Sequence, residues 1–338
     1  MLKECVTLFW IFTGEAIMRL GIIGCSDIAY KRFMPAVEGI EGLEVVAVAE
    51  EYDKSRVKPF CEKYGLQAEE NFERLLARND LDAVYVPQPP ALHYEWAKKA
   101  LVSGKHVLVE KPSTTEAHLS LELSEIARER GLALHENYMF AYHAQIDAIR
   151  TLINDGAIGD VRCYRASFGF PLREAKDFRY NRSLGGGALL DAGGYTVKLA
   201  TLFLGEDVRV EAAVMSTLPG YEVDMYGSVM LTDQTGGVFQ AGFGMDNNYS
   251  CAFSVWGSRG TLTTGRIFTA PEGYTPSATI ERNGEVETVI LPKDSHFRKS
   301  VCAFMEETED TLKREKMYND IIKQAQLIDD IRRKARRG

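Results

Sequence analysis

The sequence of 338 residues is poor in cysteine and histidine and contains no long apolar run. The six cysteines form no C-x-x-C pair, and the six histidines form no H-x-H or H-E-x-x-H group. This scatter argues against a zinc site, so we expect no bound metal, and it favours free thiols in a reducing cytoplasm. Nothing approaches the roughly 18–20 consecutive apolar residues that a membrane-spanning helix requires.

Positive charge is also in deficit, because the sequence has 40 Lys and Arg residues and 48 Asp and Glu residues, which give a net charge of −8. This balance argues against general nucleic-acid binding, which depends on neutralising phosphates. The basic run at 332–337 is interpreted as the solvated C-terminal end of a helix, where cations suit the helix dipole. The length predicts about two domains, each large enough for its own core.

Residues 1–17 stand apart from the rest of the chain. The segment 6–12 is apolar, but one Lys precedes it and no small-residue cleavage site follows, so a signal peptide is not favoured. Met18 opens directly into a strand-like run. We therefore interpret 1–17 as a non-native or mis-annotated extension.

Residues 18–140 alternate between short apolar runs and segments with helical spacing. Strands are predicted at 20–24, 44–50, 83–86, 106–110 and 133–136, and helices at 27–38, 54–64, 93–102 and 115–130. Strands separated by helices of this length predict βαβ units in a parallel sheet. We expect an α/β domain with a doubly wound sheet, the Rossmann arrangement that binds dinucleotides.

Residues 141–338 have a different texture, which predicts an α+β domain. Helices are predicted at 145–155 and 188–204, a long charged helix or helix pair at 296–337, and strands at 161–168, 208–218, 226–232, 238–244, 250–256, 278–282 and 286–291. Strands without helices between them predict a mostly antiparallel sheet. We expect this domain to bind substrate and to mediate oligomerisation.

The first motif follows the first predicted strand and is similar to the G-x-G-x-x-G/A dinucleotide fingerprint. Gly24 would form the tight turn, while Ser26 and Ala29 replace the second and third glycines with small residues. The following helix would offer amide donors and a positive dipole end to a pyrophosphate. The predicted cofactor-binding residues of this motif are Gly24, Cys25, Ser26, Asp27 and Ile28.

Glu50 closes the second predicted strand, 21 residues after Ala29. An acid at this position can bond the adenosine ribose hydroxyls and repel a 2′-phosphate. Glu51 follows where an arginine would be expected for NADP. We therefore predict NAD as the cofactor, with NADP as the alternative.

The second motif is GKHVLVEKP, which ends at Pro112 and follows the segment PQPPALH. Lys111 stands at the end of the fourth predicted strand, where open α/β sheets hold their ligands. Pro112 keeps Lys111 out of helical geometry, with a cis bond as one option. We expect Lys111 to act in the site, and Pro87, His93 and Glu110 to line or orient its cofactor side.

The third motif is LGGGALLDAGGYTVK, at 184–198. At about 100° per residue, a helix would bring Asp191, Tyr195 and Lys198 within roughly 60° of one another. Gly193 and Gly194 are costly inside a helix, so we interpret them as room for a flat ligand such as a nicotinamide ring. This motif predicts a carboxylate, a phenol and an ammonium on one face of the site.

Together these motifs resemble the Gfo/Idh/MocA family of NAD(P)-dependent oxidoreductases. The resemblance runs from Met18 to the end and includes GCSDIA, GKHVLVEKP, ENYMFAYHAQ and GGGALLDAGGY. It implies a Rossmann domain, an open-faced C-terminal domain, and dimers or tetramers. It also implies that Lys111 is the substrate lysine and that Asp191 is a substrate-binding or proton-relay carboxylate.

Two departures refine the resemblance. Many members have His four residues after the Asp, whereas this chain has Tyr195, as do glucose–fructose oxidoreductase, dihydrodiol dehydrogenases and nucleotide-sugar 3-ketoreductases. The run around Arg179, together with Lys198, looks most like the last group. The Arg that often follows the Tyr-Met pair is here Ala141, so fewer substrate contacts can be transferred.

We therefore predict an enzyme that moves a hydride between a nicotinamide cofactor and a carbinol or keto carbon of a sugar, nucleotide sugar or polyol. Tyr195 would supply the proton, with its pKa lowered by the Lys111 ammonium, and Asp191 would fix Lys111 or a neighbouring hydroxyl. Tyr138 and His143 are expected in the cleft, and Arg179 and Lys198 at the substrate. The alternative is a non-catalytic, cofactor-sensing regulator on the same fold.

Overall fold

The computed structural model describes residues 17–337, and its first part is built on a six-stranded parallel sheet. The strands are β1 Met18–Ile23, β2 Leu43–Ala49, β3 Gln67–Glu69, β4 Ala83–Val86, β5 His106–Glu110 and β6 Leu134–Asn137. Their order is β3-β2-β1-β4-β5-β6, and every neighbouring pair is parallel. The order reverses between β1 and β4, where Rossmann folds have their binding crevice. The predicted Rossmann domain is confirmed, while the proposed extension lies outside the described residues except for Ile17.

Helices cover both faces of this sheet, which is why its central strands are apolar throughout. All four residues of β4 are buried. The α-helices are α1 Met34–Val37, α2 Val57–Tyr64, α3 Phe72–Leu76, α4 Pro90–Val102 and α5 Ala117–Arg130. A π-helical turn, Ala29–Phe33, leads into α1 directly after the loop that follows β1.

The second sheet has nine strands, β7 to β15, and is mostly antiparallel as predicted. They are β7 Val161–Gly169, β8 Arg209–Ser216, β9 Tyr226–Thr232, β10 Val238–Gly244, β11 Ser250–Gly257, β12 Thr261–Gly265, β13 Ser277–Arg282, β14 Glu285–Ile290 and β15 Arg336–Arg337. Their order is β14-β13-β12-β11-β7-β10-β9-β8-β15. In β9, buried Val229 and Leu231 alternate with exposed Tyr226 and Met230, so one face of the sheet is packed and the other is open.

The remaining helices pack on both sheets. They are α6 Gln145–Asn154, α7 Gly194–Leu204, α8 His296–Glu309 and α9 Thr311–Lys334, with a π-helical turn, Leu189–Gly193, before α7. The predicted C-terminal helix pair is thus present. Val301 and Phe304 of α8 share a core with Leu20 of β1, and Tyr318 of α9 shares one with Val84 of β4. None of the helices within 17–337 is long and apolar enough to cross a membrane.

Candidate active site

The loop after β1 has the geometry that a pyrophosphate requires. Gly24 has φ +106°, and a Cβ at this position would lie 2.4 Å from Nε2 of Gln88, so only glycine fits. Gln88 donates to the carbonyl of Ile23 at 3.1 Å and holds the turn against the loop after β4. Ser26 Oγ accepts the N–H of Ala29. The first amides of the helical segment have no intrahelical partner, so the loop fits a dinucleotide phosphate.

The carboxylate of Glu50 is hydrogen-bonded to the backbone of the loops that follow β1 and β2. One oxygen accepts the N–H of Cys25 at 2.7 Å, and the other accepts those of Glu51 and Tyr52 at 3.0 and 2.9 Å. The residue is only 6% exposed. Buried carboxylates in proteins are hydrogen-bonded. The donors to Glu50 belong to the loop after β1 and the loop after β2. The predicted contact of Glu50 with the adenosine ribose stays a prediction, made by a carboxylate that already accepts three backbone N–H groups.

An arginine that sequence analysis missed lies beside the same loop. The guanidinium of Arg56 contacts the carboxylate of Asp27, and Lys31 approaches the other oxygen of Asp27 at 2.7 Å. The hydrogen bond from Lys31 lowers the pKa of Asp27 despite some opposing burial. Two cations therefore stand at the exposed mouth of the loop. Arg56 follows Glu50 by six residues, and this spacing alone does not indicate a role in the site. Its contact with Asp27 in the folded structure identifies it.

Lys111 lies at the end of β5 and is bound by Asp191 from the second unit. Its Nζ is 2.6 Å from Oδ1 of Asp191 and donates to the Asp191 carbonyl at 3.1 Å. The bond between Lys111 and Pro112 is cis. Arg179 Nε donates to the other oxygen of Asp191 at 2.6 Å, and its Nη1 lies 3.1 Å from Asp177. Two cations and two carboxylates therefore alternate in a mostly buried cluster, which we call the Lys111 cluster.

The charges of the Lys111 cluster are held in place by one another. Burial alone would raise the pKa of Asp191, but Arg179 and Lys111 outweigh it and hold that pKa well below its ordinary value. Burial would likewise lower the pKa of Arg179, yet Asp191 and Asp177 raise it. Asp191 is therefore a fixed anion near neutral pH and suits an anchoring role better than a proton-transfer role.

Tyr195 lies beneath the ammonium of Lys111, which is 4.7 Å from the centre of its ring. The Tyr195 hydroxyl donates to Sδ of Met139 at 3.8 Å, and the residue is 5% exposed. Burial first, and then the charges of Glu110 and Asp191, raise the pKa of this phenol well above its ordinary value. The expectation that Lys111 lowers it is not met in this structure, because the ammonium faces the ring and is bound by Asp191.

Lys198 is not part of the Lys111 cluster. Its Nζ lies 3.9 Å from Oδ2 of Asp320 on α9, whereas Asp191 points to Lys111. The prediction of one shared face assumed a uniform 100° per residue. The turn Leu189–Gly193 is π-helical and advances by a smaller angle per residue, so the assumed face is broken.

Tyr138 also lies away from the open cleft. It is 1% exposed, and a Cβ added to Gly194 would be 2.3 Å from its hydroxyl. Gln324 of α9 donates to that hydroxyl at 3.3 Å. Gly194 therefore makes room for the protein's own Tyr138, which corrects its interpretation as room for a flat ligand.

The other predicted residues occupy separate places. His93 is buried, with its ring nitrogens 2.7 Å from the Pro112 carbonyl and 2.6 Å from that of Gln88, so it joins the loops after β4 and β5. Burial lowers its pKa to about 4. Pro87 is buried at the start of the first of these loops. His143 packs 5.8 Å from His296 at the start of α8, rather than against the Lys111 cluster.

Two acids that sequence analysis missed support the cluster. Asp177 binds Arg179 and also accepts its backbone N–H, a turn-capping pattern that the spacing D-x-R could have indicated. Asp224 accepts the N–H of Leu189 at 2.6 Å and so holds the start of the π-helical turn that bears Asp191. Nothing near Asp224 in the sequence signals this contact, because its partner is 35 residues away.

Known proteins share both parts of this architecture. Residues 18–138 match the model of the oxidoreductase family with an NAD-binding Rossmann fold, and residues 146–263 match the GFO/IDH/MocA C-terminal domain. The chain is 41% identical over 320 residues to the dTDP-3,4-didehydro-2,6-dideoxy-alpha-D-glucose 3-reductase of Actinomadura kijaniata, covering 94% of this chain and 96% of that protein. It is 30% identical to a D-xylose 1-dehydrogenase (NADP+) of Haloferax volcanii, covering 86% and 89%.

A solved structure is similar over nearly the whole chain. It is a 3-ketoreductase from Actinomadura kijaniata in complex with NADP and TDP-benzene, with a TM-score of 0.91, 41% identity, and coverage of 95% of this chain and 98% of that chain. The predicted function, hydride transfer between a nicotinamide cofactor and the CH-OH or keto carbon of a sugar substrate, is confirmed by these relatives. They give no support to the regulatory alternative. The chain belongs to the Gfo/Idh/MocA family of nicotinamide-dependent oxidoreductases.

Proposed function

We propose that this enzyme is a nucleotide-sugar 3-ketoreductase, which reduces the 3-keto group of a dTDP-linked deoxysugar. The observation that carries the proposal is the Lys111 cluster at the carboxyl end of β5, where Asp191 of the second unit meets Lys111 of the first. Support for the substrate comes from the 41% identity to the dTDP-sugar 3-reductase over nearly full length. The neighbouring structure, which holds TDP-benzene, agrees with a thymidine nucleotide as the handle.

We infer that NADP(H) is the physiological cofactor. A bound nicotinamide dinucleotide supplies the hydride, and the residues of the β1 loop fit its pyrophosphate. Both oxygens of Glu50 accept backbone N–H groups, which offset part of its negative charge. The exposed Arg56 guanidinium stands beside Asp27, at the side of the loop where a 2′-phosphate would add charge. The neighbouring 3-ketoreductase structure contains NADP.

The protein's own groups account for orientation and proton supply. Lys111, held by Asp191, presents positive charge where oxygen becomes anionic during reduction of a ketone. Tyr195 stays protonated at neutral pH, because burial raises its pKa, and is the group that can give a proton to that oxygen. Arg179 fixes the second oxygen of Asp191 and leaves Asp191 no freedom to turn away.

A substrate panel tests this proposal. Purified enzyme with NADPH is offered a dTDP-3-keto-deoxysugar, the same sugar without its nucleotide, and D-xylose with NADP+, while absorbance of the reduced cofactor is followed. We expect turnover with the nucleotide-linked ketone to exceed that with either free sugar by at least about 100-fold, the effect that remote binding energy commonly has on kcat/KM. Equal turnover with free xylose would assign the enzyme to free sugars instead.

We also infer a homo-oligomer formed through the open face of the second sheet. Exposed apolar side chains project from this face, among them Val214, Met230 and Trp256 on three different strands. An open antiparallel face with large apolar side chains is the kind of surface that a second copy covers.

A further inference from the structure

A chain of buried hydrogen bonds leads from the residue before Lys111 to α8. In order, its side chains are Glu110, Asn137, Ser300, His135 and Glu307. The successive distances are 2.7 Å, 2.8 Å, 3.0 Å and 2.9 Å. All five residues are buried, and the proposed reaction uses none beyond Glu110. We call this set the Glu110–Glu307 chain.

Each link in the chain fixes the direction of the next one. A hydroxyl has one proton, and a side-chain amide has one donor end and one acceptor end. When Glu110 is ionised, the Asn137 amide donates to it, and the Ser300 hydroxyl donates to Oδ1 of Asn137. Ser300 must then accept the Nε2–H of His135, and one further proton is shared between Nδ1 of His135 and Glu307.

The same heavy-atom positions allow a second, reversed arrangement. Glu110 is then protonated and donates to Oδ1 of Asn137, whose amide group has rotated by half a turn. Asn137 donates to Ser300, Ser300 donates to Nε2 of His135, and the Nδ1–H of His135 donates to an ionised Glu307. Both arrangements contain the same number of protons and a net charge of −1, but the negative charge has moved from the Glu110 end to Glu307.

Charges at the two ends decide which arrangement is favoured. Tyr85 donates to Glu110 at 2.7 Å, and Lys111 and Tyr195 are its charged or titratable neighbours. At the far end the neighbours are Glu136 and Tyr142 around His135, and Arg314, which donates to the Glu307 carbonyl. Burial raises the pKa of Glu110, although both hydrogen bonds and Lys111 oppose this effect, so neutral Glu110 is within reach.

We propose that the Glu110–Glu307 chain is a two-state element that matches the charge of Glu110 to that of the active site. Glu110 is ionised while Tyr195 is protonated, and becomes neutral when Tyr195 gives up its proton. The amide of Asn137 cannot pass a proton along the chain. Glu110 therefore takes its proton from the active-site cleft, while the pair formed by His135 and Glu307 releases a proton to solvent. Asn137, Ser300 and His135 are thus positioning residues, and only their catalytic consequence rests on the proposed function.

Nuclear magnetic resonance of ¹⁵N-histidine-labelled protein tests the coupling without any substrate. The protein has six histidines, and His135→Gln assigns the signals of His135. Lys111→Met removes the cation beside Glu110 and so favours the neutral carboxyl. We expect Nε2 of His135 to change from a protonated to an unprotonated chemical shift in this variant, and to show no change when Ser300→Ala is also present. Unchanged His135 signals in Lys111→Met would overturn the proposal.

Kinetics test the catalytic consequence with a matched control. Ser300→Ala breaks the chain, whereas Ser124→Ala removes an equally buried hydroxyl that donates to the Ser120 carbonyl in α5. We expect Ser300→Ala to lower kcat about 3- to 10-fold, leave KM unchanged, and move the alkaline limit of kcat to higher pH, because a fixed Glu110 charge opposes ionisation of Tyr195.

A pH profile of Ser300→Ala that coincides with that of Ser124→Ala would overturn the proposal. Ser300→Cys, which is nearly isosteric and a weak donor, replaces Ser300→Ala in both experiments if the alanine variant fails to fold. If no ketone is reduced by the wild-type enzyme, the proposed function fails, and the resonance experiment still decides whether the chain exists in two states.

Discussion

Asp191 accepts Lys111 through one carboxylate oxygen and Arg179 through the other, so neither oxygen is free to exchange protons at neutral pH. A buried charge of this kind is stable only while its partners remain, and removing one partner commonly costs about 3–5 kcal/mol. The arrangement holds Lys111 above the ring of Tyr195. At this scale the site is an ammonium held over the ring of a buried phenol, whose hydroxyl donates to Sδ of Met139.

Tyr195→Phe tests the proton donor. The change removes only the hydroxyl, so we expect unchanged NADPH affinity and a fall in turnover of about 10²- to 10⁴-fold, the usual contribution of a positioned acid–base group. Lys111→Ala should remove most activity as well, and the double variant should be scarcely worse than either single one. Near-normal turnover of Tyr195→Phe would transfer the role of proton donor to Lys111.

Arg56→Ala tests cofactor selection. If the guanidinium meets a 2′-phosphate, the variant should bind NADPH about 10-fold more weakly, an effect of about 1.4 kcal/mol, and bind NADH unchanged. Fluorescence titration with both cofactors measures this. The control is Arg74→Ala, which removes an exposed arginine on α3. Tighter binding of NADH than of NADPH by the wild-type protein would restore the original prediction of NAD.

At the scale of elements, apolar strands were predictable from the sequence and short polar strands were not. β4 and β5 have the predicted bounds, because each is a short apolar run between turn residues. The strand Gln67–Glu69 was missed, since this run of three residues, two of them polar, owes its extended form to pairing with β2. The strand Thr261–Gly265 was missed for a similar reason, as its threonines pair between β11 and β13.

The candidate site was predictable only where the chemistry was local. Lys111 could be assigned to a strand end from its own neighbours. The contacts of Lys198 and Tyr138 could not, because the π-helical turn Leu189–Gly193 and the packing of α9 determine them. Tertiary structure decides such contacts, and no periodicity in the sequence reports it.

The start of α8 makes the stability depend on pH. His296 is the first residue of α8, and burial and His143 lower its pKa to about 4. The unfolded chain binds this proton near pH 6.5, so stability is complete above that pH and falls as pH drops towards 4. At about 1.4 kcal/mol per pKa unit, the loss from this one group is about 3 kcal/mol.

His296→Leu should flatten this dependence. Urea unfolding at pH 7 and pH 5 should show a smaller loss of unfolding free energy in the variant than in the wild-type protein. His118→Leu is the control, because His118 is exposed on α5 and should leave the slope unchanged. The slope should not vanish, since burial also lowers the pKa of His93 and His143. An identical slope in His296→Leu would assign the acid sensitivity to other groups.

For the molecule as a whole, the open face of the second sheet bears exposed apolar side chains on three of its strands. Trp256 of β11 is 53% exposed, and the Arg165 guanidinium lies 5.5 Å from its ring. Met230 and Val214 project from β9 and β8 on the same sheet. Burial of such side chains yields about 25 cal/mol per Å², so a second copy seated here would be stabilised by this face.

Trp256→Glu should dissociate the oligomer. Sedimentation velocity is expected to show a dimer or tetramer for the wild-type protein and a monomer for the variant, because the change removes the apolar indole and places there a charge that would have to lose its water on assembly. Leu312→Glu places the same charge on an exposed apolar position at the start of α9 and should leave the assembly intact. A wild-type monomer, or an intact Trp256→Glu oligomer, would exclude this face as the interface.

The return of α8 and α9 to the first sheet also determines the order in which the protein can be completed during synthesis. Val301 and Phe304 fill the core around Leu20, and Tyr318 fills the core around Val84, yet these three side chains come from the end of the chain. The cores on both faces of the first sheet therefore stay incomplete until residues 301–318 have been synthesised. Until then the nascent chain exposes apolar surface of the kind that favours aggregation, and the first sheet can be completed only together with α8 and α9.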